Sequence, residues 1–485
     1  MKLQNEITRG LKWTAGAKLG SQLITWGITI WVMRLLEPSD YGLLALATVL
    51  LALLAMFAEV GLGPALVQKT DITRQTMQRA YGIVWSVNLL LCALLNLCAE
   101  LVAAFYAEPR LVPVIRCLSL QFLIIPFGVI PDVILQRKLE YRWRSLIELA
   151  TAVTASVVTL SMALAGQGVW ALVAGMLTTS VTKAVLLNCA APFPALPHFS
   201  LGGMRQLVMF GGNITASRLL WFLFTQADAV IVGRLLGDHV LGLYSVAMHL
   251  ASLPVQRVSA ILNQVVFPAA ARFQHDRAAI SAQLLKAIGY VSAIAFPVLW
   301  GMSCVAYELI PVLLGAGWEG AILPFQILTL VMPFRMIVGF LPTVTDAIGR
   351  SDVALRNAAL GCVVMPIAFY VGSHWGIAGV AYSWLFAYPV VLFINLRRML
   401  AVIGIPIRDV ARRVAPALAA AGAMYGAVWG VRLAWFGGGG SNQAVALALE
   451  IASGMVAYVL SSLVCNRTLV MEVAQRLRRR PRLAG

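Results

Sequence analysis

Long runs of hydrophobic residues recur from one end of the chain to the other, separated by short polar, Pro-rich or Gly-rich stretches. Each run has about 20 residues, the length that a helix needs to cross about 30 Å of hydrocarbon. A backbone in lipid satisfies its hydrogen bonds only as a helix or a closed barrel, and continuously apolar runs of this length are typical of helices. The pattern predicts an all-α, polytopic membrane protein with about fourteen transmembrane helices.

The predicted spans fall into two sets of six and a final pair. The first six are Trp13–Met33, Tyr41–Pro64, Ala80–Phe105, Val112–Leu135, Ser145–Ala165 and Val169–Ala190. The next six are Gln206–Gly233, Val240–Pro268, Leu284–Tyr307, Ala321–Thr345, Leu355–Ser373 and Ile377–Leu396. The final pair is Val414–Trp435 and Gln443–Leu463, on either side of a Gly-rich turn.

This spacing predicts five regions along the chain. They are an N-terminal six-helix lobe (1–190), a Pro-rich cytoplasmic linker (191–205), a C-terminal six-helix lobe (206–398), a basic linker with two extra transmembrane helices (399–464) and a basic cytoplasmic tail (465–485).

Composition agrees with a membrane protein. Of the 485 residues, 60% are hydrophobic and 12% are charged, whereas soluble domains are about half apolar and about a quarter charged. Most of the 37 Lys and Arg lie in the N-terminus, in alternate loops and in the C-terminal tail. The positive-inside rule therefore predicts that both termini lie on the cytoplasmic side of a cytoplasmic membrane. The net charge of +17 is explained by topology and contact with membrane lipids, so we do not expect nucleic-acid binding.

Cysteine and histidine give no sign of a metal centre or a disulfide framework. The seven cysteines lie in or at the ends of the predicted spans without a CxxC pair, and the five histidines are scattered. We expect no metal site and no bound cofactor.

An internal repeat is the most informative feature of the chain. An ungapped shift of 200 residues aligns Lys18 with Arg218, Thr25 with Thr225, the Arg-Leu-Leu at 34–36 with that at 234–236, Gly42 with Gly242, and Ala47 with Ala247. Six predicted spans separate the copies, so both copies cross the membrane in the same direction. Parallel repeats are typical of transporters whose halves rearrange around a midplane site.

Polar residues follow one face of the repeated helices. The stripes are Lys18, Gln22, Thr25 and Thr29; Asn213, Ser217, Trp221, Thr225 and Asp228; and Ser245, His249, Ser252, Gln256, Ser259 and Asn263. Their spacing is helical. Single members of such stripes commonly form hydrogen bonds between helices, but whole stripes that include charge favour a hydrated cavity.

Charged residues within the predicted spans are mainly basic, so the cavity is expected to attract an anion such as phosphate. The candidate substrate-binding residues are Lys18, Arg116, Arg218, Arg257, Arg335, Gln22 and Thr25. The candidate ion-coupling residues are Asp228 and Glu59. The alternative for each charge is a structural ion pair, or a side chain that reaches the membrane interface.

Several segments resemble Wzx-type polysaccharide flippases of the multidrug/oligosaccharidyl-lipid/polysaccharide superfamily, in particular the colanic-acid-exporter-like branch. They are RLLEPSDYGLLA from Arg34, EVGLGPALVQ from Glu59, the IPFG and QRKLEYRW runs within Leu118–Ile147, DAVIVGRLLG from Asp228, and GLYS from Gly242. The similarity extends from Thr8 to Arg398.

The resemblance implies two six-helix lobes, alternating access and a substrate that is an oligosaccharide on undecaprenyl diphosphate. It also implies a place in a bacterial inner membrane and transport driven by an H⁺ or Na⁺ gradient. The implied pathway is the biosynthesis of exopolysaccharide or lipopolysaccharide, with a polysaccharide polymerase and glycosyltransferases as possible partners. Another transporter of the superfamily, a lipid II-type flippase or an ion-coupled drug antiporter, is the alternative. We do not expect an enzyme, because the predicted outer loops are too short for a catalytic domain.

Overall fold

The computed structural model describes residues 25–58, 66–67, 73–138, 140–199, 222, 225–256, 277–339, 341–347, 350–437 and 442–467. Every regular element in these ranges is a helix, as the hydrophobic runs predict. The chain divides into two compact units, Met1–Gly242 and Leu243–Gly485.

The described helices that begin in the first unit are α1 (25–35), α2 (Pro38–Ala58), α3 (Arg74–Tyr106), α4 (Leu111–Ser119), α5 (Gln121–Arg137), α6 (Tyr141–Leu164), α7 (Val169–Ala190) and α8 (Thr225–Gln256). Small residues let some of these helices approach closely. A Cβ added to Gly175 on α7 would overlap the Thr159 hydroxyl on α6. Glycine at this contact is typical of membrane helix packing.

The second unit continues with α9 (Arg277–Cys304), α10 (Ala306–Leu314), a 3₁₀ turn (Ala316–Ala321), α11 (Ile322–Gly339), α12 (Leu341–Ala347), α13 (Ser351–Ser373), α14 (Gly376–Ile403), α15 (Ile407–Gly437) and α16 (Gln443–Cys465). Gly372 and Gly379 face each other where α13 turns into α14, and a Cβ on either would meet the other's carbonyl oxygen. The Glu308 region, predicted as a loop, forms the short helix α10 because its residues are mostly apolar.

Twelve helical segments in the described ranges are long and apolar enough to cross a membrane. The chain is therefore a multi-pass membrane protein. Each segment overlaps a predicted span from the second to the fourteenth, and α8 overlaps both the seventh and the eighth. Only the end of the first predicted span, from residue 25, is described.

α8 reverses direction at Gly237. This residue has a φ of +86°, a conformation that is readily available only to glycine. The Leu241 side chain lies 3.2 Å from the position of a Cβ on Gly233, although eight residues of straight helix would separate them by about 12 Å. α8 is therefore a hairpin, and its turn coincides with the turn between α1 and α2 under the 200-residue shift. The structure thus gives the two sequence copies the same helix–turn–helix form.

Candidate functional site

The predicted site residues divide into those that the structure describes and those that it does not. Lys18, Gln22, Arg218, Arg257 and Glu59 lie outside the described residues. Their roles remain predictions. The four described candidates are Thr25, Arg116, Asp228 and Arg335.

Arg335 lies on α11 in the second unit and is half-buried. Its guanidinium carbon is 4.5 Å from the centre of the Trp384 ring and 5.9 Å from that of Tyr388, both on α14. Arginine stacks well on aromatic faces because its guanidinium is planar and weakly hydrated. Of the ion pairs among described residues, none includes Arg335.

The two aromatic residues that stack against Arg335 are fixed by burial and by contacts with their neighbours. Trp384 is almost fully buried, and its indole Nε1–H donates to the Tyr244 hydroxyl oxygen over 2.7 Å. Tyr388 is also buried and lies 5.3 Å from the Trp384 ring. The stack fixes one face of the guanidinium and leaves its N–H groups without a described carboxylate acceptor. This arrangement can bind an anion.

Arg116 has different surroundings. Its Nη2 lies 2.9 Å from Glu100 Oε1, with 49% of the Arg116 side chain and 75% of the Glu100 side chain exposed. The pair joins α4 to α3 within the first unit. The charge of Arg116 is therefore compensated by a carboxylate, which is the structural alternative that the sequence left open.

The remaining two described candidates, Asp228 and Thr25, differ in burial. Asp228, on the first arm of α8, is 4% exposed and accepts a hydrogen bond from the Ala229 backbone N–H at 2.9 Å. It has a further interaction as well. Thr25, at the start of the described part of α1, is half-buried.

The second arm of α8 carries the described part of the third polar stripe. Ser245, His249, Ser252 and Gln256 are half-buried or exposed. The Gln256 amide donates to the Ser252 hydroxyl at 3.2 Å, and the Ser252 hydroxyl donates to the His249 carbonyl oxygen at 2.9 Å. These side chains are thus partly satisfied within their own helix.

The two copies of the repeat touch each other at their aligned glycines. A Cβ added to Gly42 would overlap the carbonyl oxygen of Asp238, and one added to Gly242 would overlap that of Pro38. The contact is reciprocal, since each copy places a glycine against the backbone at the start of the other copy's second helix. Glycine is required at both positions because only a residue without a side chain permits this approach.

An ion-pair cluster lies beside this glycine contact. Arg110 Nη2 is 2.8 Å from Asp238 Oδ2, and Arg110 Nε is 2.7 Å from Glu108 Oε1. The hydrogen bonds from Arg110 lower the pKa of the Glu108 carboxyl below its usual value. The same contacts raise the pKa of Arg110. Arg110 thus fastens the turn before α4 to the α8 turn.

Sequence reasoning did not select Trp384, Tyr388 or Arg110. The two aromatic residues are four positions apart on a predicted span, which places them on one face of a helix. That spacing could have been noticed, but nothing in it indicates that Arg335 is the neighbour. Arg110 lies in a predicted loop, where an arginine is ordinary.

A model of the family described as "Polysaccharide biosynthesis protein" matches residues 31–323. This region is more than half of the 485 residues. The chain belongs to this family. The match confirms the resemblance carried by the segments that begin at Arg34 and Asp228.

Relatives and a solved structure agree with the family. The lipopolysaccharide biosynthesis protein WzxC of Escherichia coli (strain K12) is 25% identical over 391 residues, 79% of each chain. The succinoglycan biosynthesis transport protein ExoT of Rhizobium meliloti (strain 1021) is 26% identical over 318 residues, 65% of this chain and 64% of its own. The lipid II flippase MurJ, in an inward closed conformation, superposes with a TM-score of 0.74 at 14% identity and covers 94% of this chain and 99% of its own. This chain therefore shares the fold of that structure.

Proposed function

We propose that this protein translocates undecaprenyl-diphosphate-linked oligosaccharide units across the cytoplasmic membrane for the assembly of exopolysaccharide or lipopolysaccharide. The observation that carries the proposal is membership of the polysaccharide biosynthesis family by a chain whose described part has twelve helical segments long and apolar enough to cross a membrane. A relative named as a succinoglycan biosynthesis transport protein also supports a role in polysaccharide transport.

The chemistry of the substrate explains why arginine on a membrane helix is useful. A diphosphate loses its hydration when it enters hydrocarbon, and an unpaired charge there is expensive. A guanidinium that is not occupied by a carboxylate can replace part of that hydration with charge-assisted hydrogen bonds. Arg335 meets this requirement among the described candidates, and Lys18, Arg218 and Arg257 are proposed to act with it.

Translocation is proposed to proceed by alternating access of the two six-helix lobes (1–190 and 206–398), driven by an H⁺ or Na⁺ gradient in which Asp228 and Glu59 take part. Both termini are proposed to be cytoplasmic. A polysaccharide polymerase and glycosyltransferases are the proposed partners, since they would consume and supply the lipid-linked unit.

The glycine contact between the repeat copies is proposed to open and close in this cycle. Replacing Gly42 with Leu would force the copies apart, and overpacking of this kind costs about 1–3 kcal/mol. We expect Gly42→Leu to lower the translocation rate about fivefold to a hundredfold, with normal protein levels in the membrane. Gly422→Leu is the matched control, because a Cβ there meets nothing within 4 Å. Equal rates for the two variants would contradict the proposed role of the contact.

The alternatives within the superfamily differ in their substrates. A lipid II-type flippase would also carry a polyprenyl diphosphate, whereas a drug antiporter would need acidic residues to attract cations. The names of the relatives favour polysaccharide assembly over both, while the likeness to MurJ concerns the fold alone.

Reconstitution tests the proposal directly. Purified protein is placed in vesicles that contain undecaprenyl diphosphate carrying a fluorescent oligosaccharide, and a membrane-impermeant reductant is added outside. We expect the protein to expose inner-leaflet label to the reductant, while protein-free vesicles protect it. Parallel vesicles contain fluorescent lipid II or a fluorescent organic cation.

Each result has a defined meaning. Movement of the oligosaccharide lipid well above that of the other two substrates supports the proposal. Movement of lipid II alone assigns the chain to peptidoglycan synthesis, and movement of the cation alone assigns it to drug export. In the host, deletion of the gene should remove the surface glycan and cause its lipid-linked precursor to accumulate.

A further inference from the structure

A buried cluster of three charged residues lies in the second unit, where the C-terminal helix pair packs on earlier helices. Glu308 is on α10, Arg432 is near the end of α15, and Glu450 is on α16. Arg432 Nη2 lies 3.1 Å from Glu308 Oε1, with the side chains 23% and 3% exposed. The Arg432 guanidinium also covers the Tyr307 ring, 4.5 Å from its centre. Arg432 and Glu450 lie beyond the region that the family model matches.

Glu450 is the unusual member of this cluster. It is 1% exposed, and its carboxyl group lies against that of Glu308. Neither Glu450 carboxyl oxygen has a hydrogen-bond donor among the described residues, nor does Glu308 Oε2. The two carboxyl groups thus face each other, and the Arg432 guanidinium is paired with one of them, Glu308.

The charge balance of this arrangement requires a proton. Two buried carboxylates beside each other repel, so one of them normally stays protonated. A buried polar group without a partner also costs about 1–3 kcal/mol. A single proton removes both problems, because a protonated carboxyl becomes an O–H donor to the facing carboxylate. Arg432 then balances the one remaining negative charge.

The described residues around the cluster add no second cation. The titratable residues that line the two adjoining cavities or interact with Glu450 include Cys304 on α9, Tyr307 on α10, and Tyr425 and Tyr458 on the C-terminal pair. The Tyr458 hydroxyl donates to the Ala293 carbonyl oxygen at 2.7 Å. From α11, Gln326 is bonded with Ser303. Among the described residues, Arg432 is the cation of this site.

A cavity with room for water lies on the arginine side of the cluster. A cavity of about 110 Å³ is lined by Cys304, Tyr307, Gln326, Tyr425, Trp429 and Arg432, with Val428. One water needs only about 10–15 Å³ of such space, so several waters fit beside the guanidinium. The guanidinium of Arg432 lies between this cavity and its Glu308 partner.

We propose that Glu308 and Glu450 form a binding site for one proton, shared between their carboxyl groups and held next to Arg432. Protonated, the cluster is neutral and fastens α16 to α10. Deprotonated, it carries one net negative charge that the surroundings do not compensate. The site does not depend on the identity of the transported substrate, so its test is separate from the transport assay.

Infrared spectroscopy of the purified full-length protein tests the site. A protonated carboxyl gives a C=O stretching band that shifts in D₂O and is absent from carboxylates. We expect the wild-type protein at neutral pH to show such a band. Glu450→Gln and Glu308→Gln should each lose it, because the remaining carboxylate pairs with Arg432 and ionises. Glu319→Gln, at an exposed position near the same helix, is the matched control and should keep the band.

The outcomes separate cleanly. Loss of the band in both cluster variants, and its retention in Glu319→Gln, supports the shared proton. A wild-type protein without the band, or cluster variants with the band at full strength, would overturn the proposal. If one variant does not accumulate, the other gives the same answer, since both remove one carboxyl of the pair. If a variant that has lost the band translocates substrate normally, the shared proton still stands, and its role is to hold α16 on α10.

Discussion

Arg116 in the first unit and Arg335 in the second are both arginines on hydrophobic helices, but their neighbours differ. Arg116 is paired with Glu100 at 2.9 Å on an exposed face. Arg335 is stacked on Trp384 at 4.5 Å, and no described carboxylate forms an ion pair with it. A position on a hydrophobic helix is therefore a poor guide to function by itself, and the partner of each arginine decides what it can still bind.

The energies of the two environments explain the difference. An exposed ion pair such as Arg116–Glu100 contributes about 0–1 kcal/mol, and it occupies the guanidinium. Stacking of Arg335 on aromatic rings contributes about 0.5–2 kcal/mol, but it occupies only the face of the guanidinium. The described hydrogen-bond partners of the Arg335 N–H groups are the Met332 sulfur, at 3.9 Å, and the Tyr388 hydroxyl. Both partners are uncharged, so phosphate oxygens, which bind arginine in the plane of the fork, are stronger acceptors for these N–H groups.

The largest expected effect is therefore that of removing charge at Arg335. We expect Arg335→Met to lower the initial rate of lipid-linked oligosaccharide translocation about tenfold to a hundredfold, since a hydrogen bond to a charged group contributes about 1.5–3 kcal/mol. Methionine keeps an apolar side chain of similar length against Trp384. The vesicle assay measures the rate at matched protein levels.

Arg116→Met is the matched comparison for that change. Its expected effect is less than about twofold, because Arg116 already has a carboxylate partner of small net contribution. A loss at Arg116 as large as that at Arg335 would show that the Glu100 pair is broken in the working cycle. The contrast between a paired Arg116 and an anion-binding Arg335 would then be wrong.

A lysine at position 335 separates charge from shape. Arg335→Lys keeps the positive charge but loses the planar fork and the stacking face. We expect a translocation rate between those of the wild type and Arg335→Met, reduced about threefold to tenfold, or by about 0.7–1.4 kcal/mol. A wild-type rate in Arg335→Lys would mean that a point charge is sufficient at this position, and the stack on Trp384 and Tyr388 would have no part in binding.

The sequence predicted the helices and the candidate arginines, but not the contacts that distinguish those arginines. Apolar runs predicted the helices because span length is set by the bilayer, and the 200-residue shift identified Gly42 and Gly242 as equivalent. Equivalence does not predict contact, so their reciprocal packing needed the structure. Likewise, the sequence selected Arg335 by its position in a span but could not place Trp384 beside it, because contacts between distant helices leave no local period. Lys18, Arg218 and the other candidates outside the described residues stay predictions.

A smaller effect is expected when the partner of Arg116 is removed. Glu100→Gln leaves an arginine on an exposed face without its carboxylate, and we expect the free energy of unfolding to fall by less than about 1 kcal/mol. Translocation should stay near the wild-type rate. Thermal unfolding of the variant beside Arg116→Met measures the change. An increased rate would instead indicate that Glu100 holds Arg116 away from the substrate.

The smallest effect concerns a third arginine, Arg110, whose carboxylate partner Glu108 lies in the turn between α3 and α4. The hydrogen bonds from Arg110 lower the pKa of Glu108, so the folded state binds this proton less readily than the unfolded state. The pair therefore stabilises the folded state above the unfolded pKa of Glu108, and this contribution is lost as the pH falls through the lower folded pKa. Because 60% of the Arg110 side chain is exposed, we expect less than about 1 kcal/mol at neutral pH.

Glu108→Gln makes this contribution measurable. At neutral pH the variant should unfold at a slightly lower temperature than the wild type, and the gap should close as the pH falls below about 4, near the ordinary glutamate pKa. Glu319→Gln, measured alongside, removes an exposed glutamate that has no ion pair among the described residues. A gap that stays constant from neutral to acid pH would mean that Glu108 acts through packing or hydrogen bonding rather than through its charge. The Arg110 ion pair with Asp238, at 2.8 Å, would then be the one that contributes through charge at this turn.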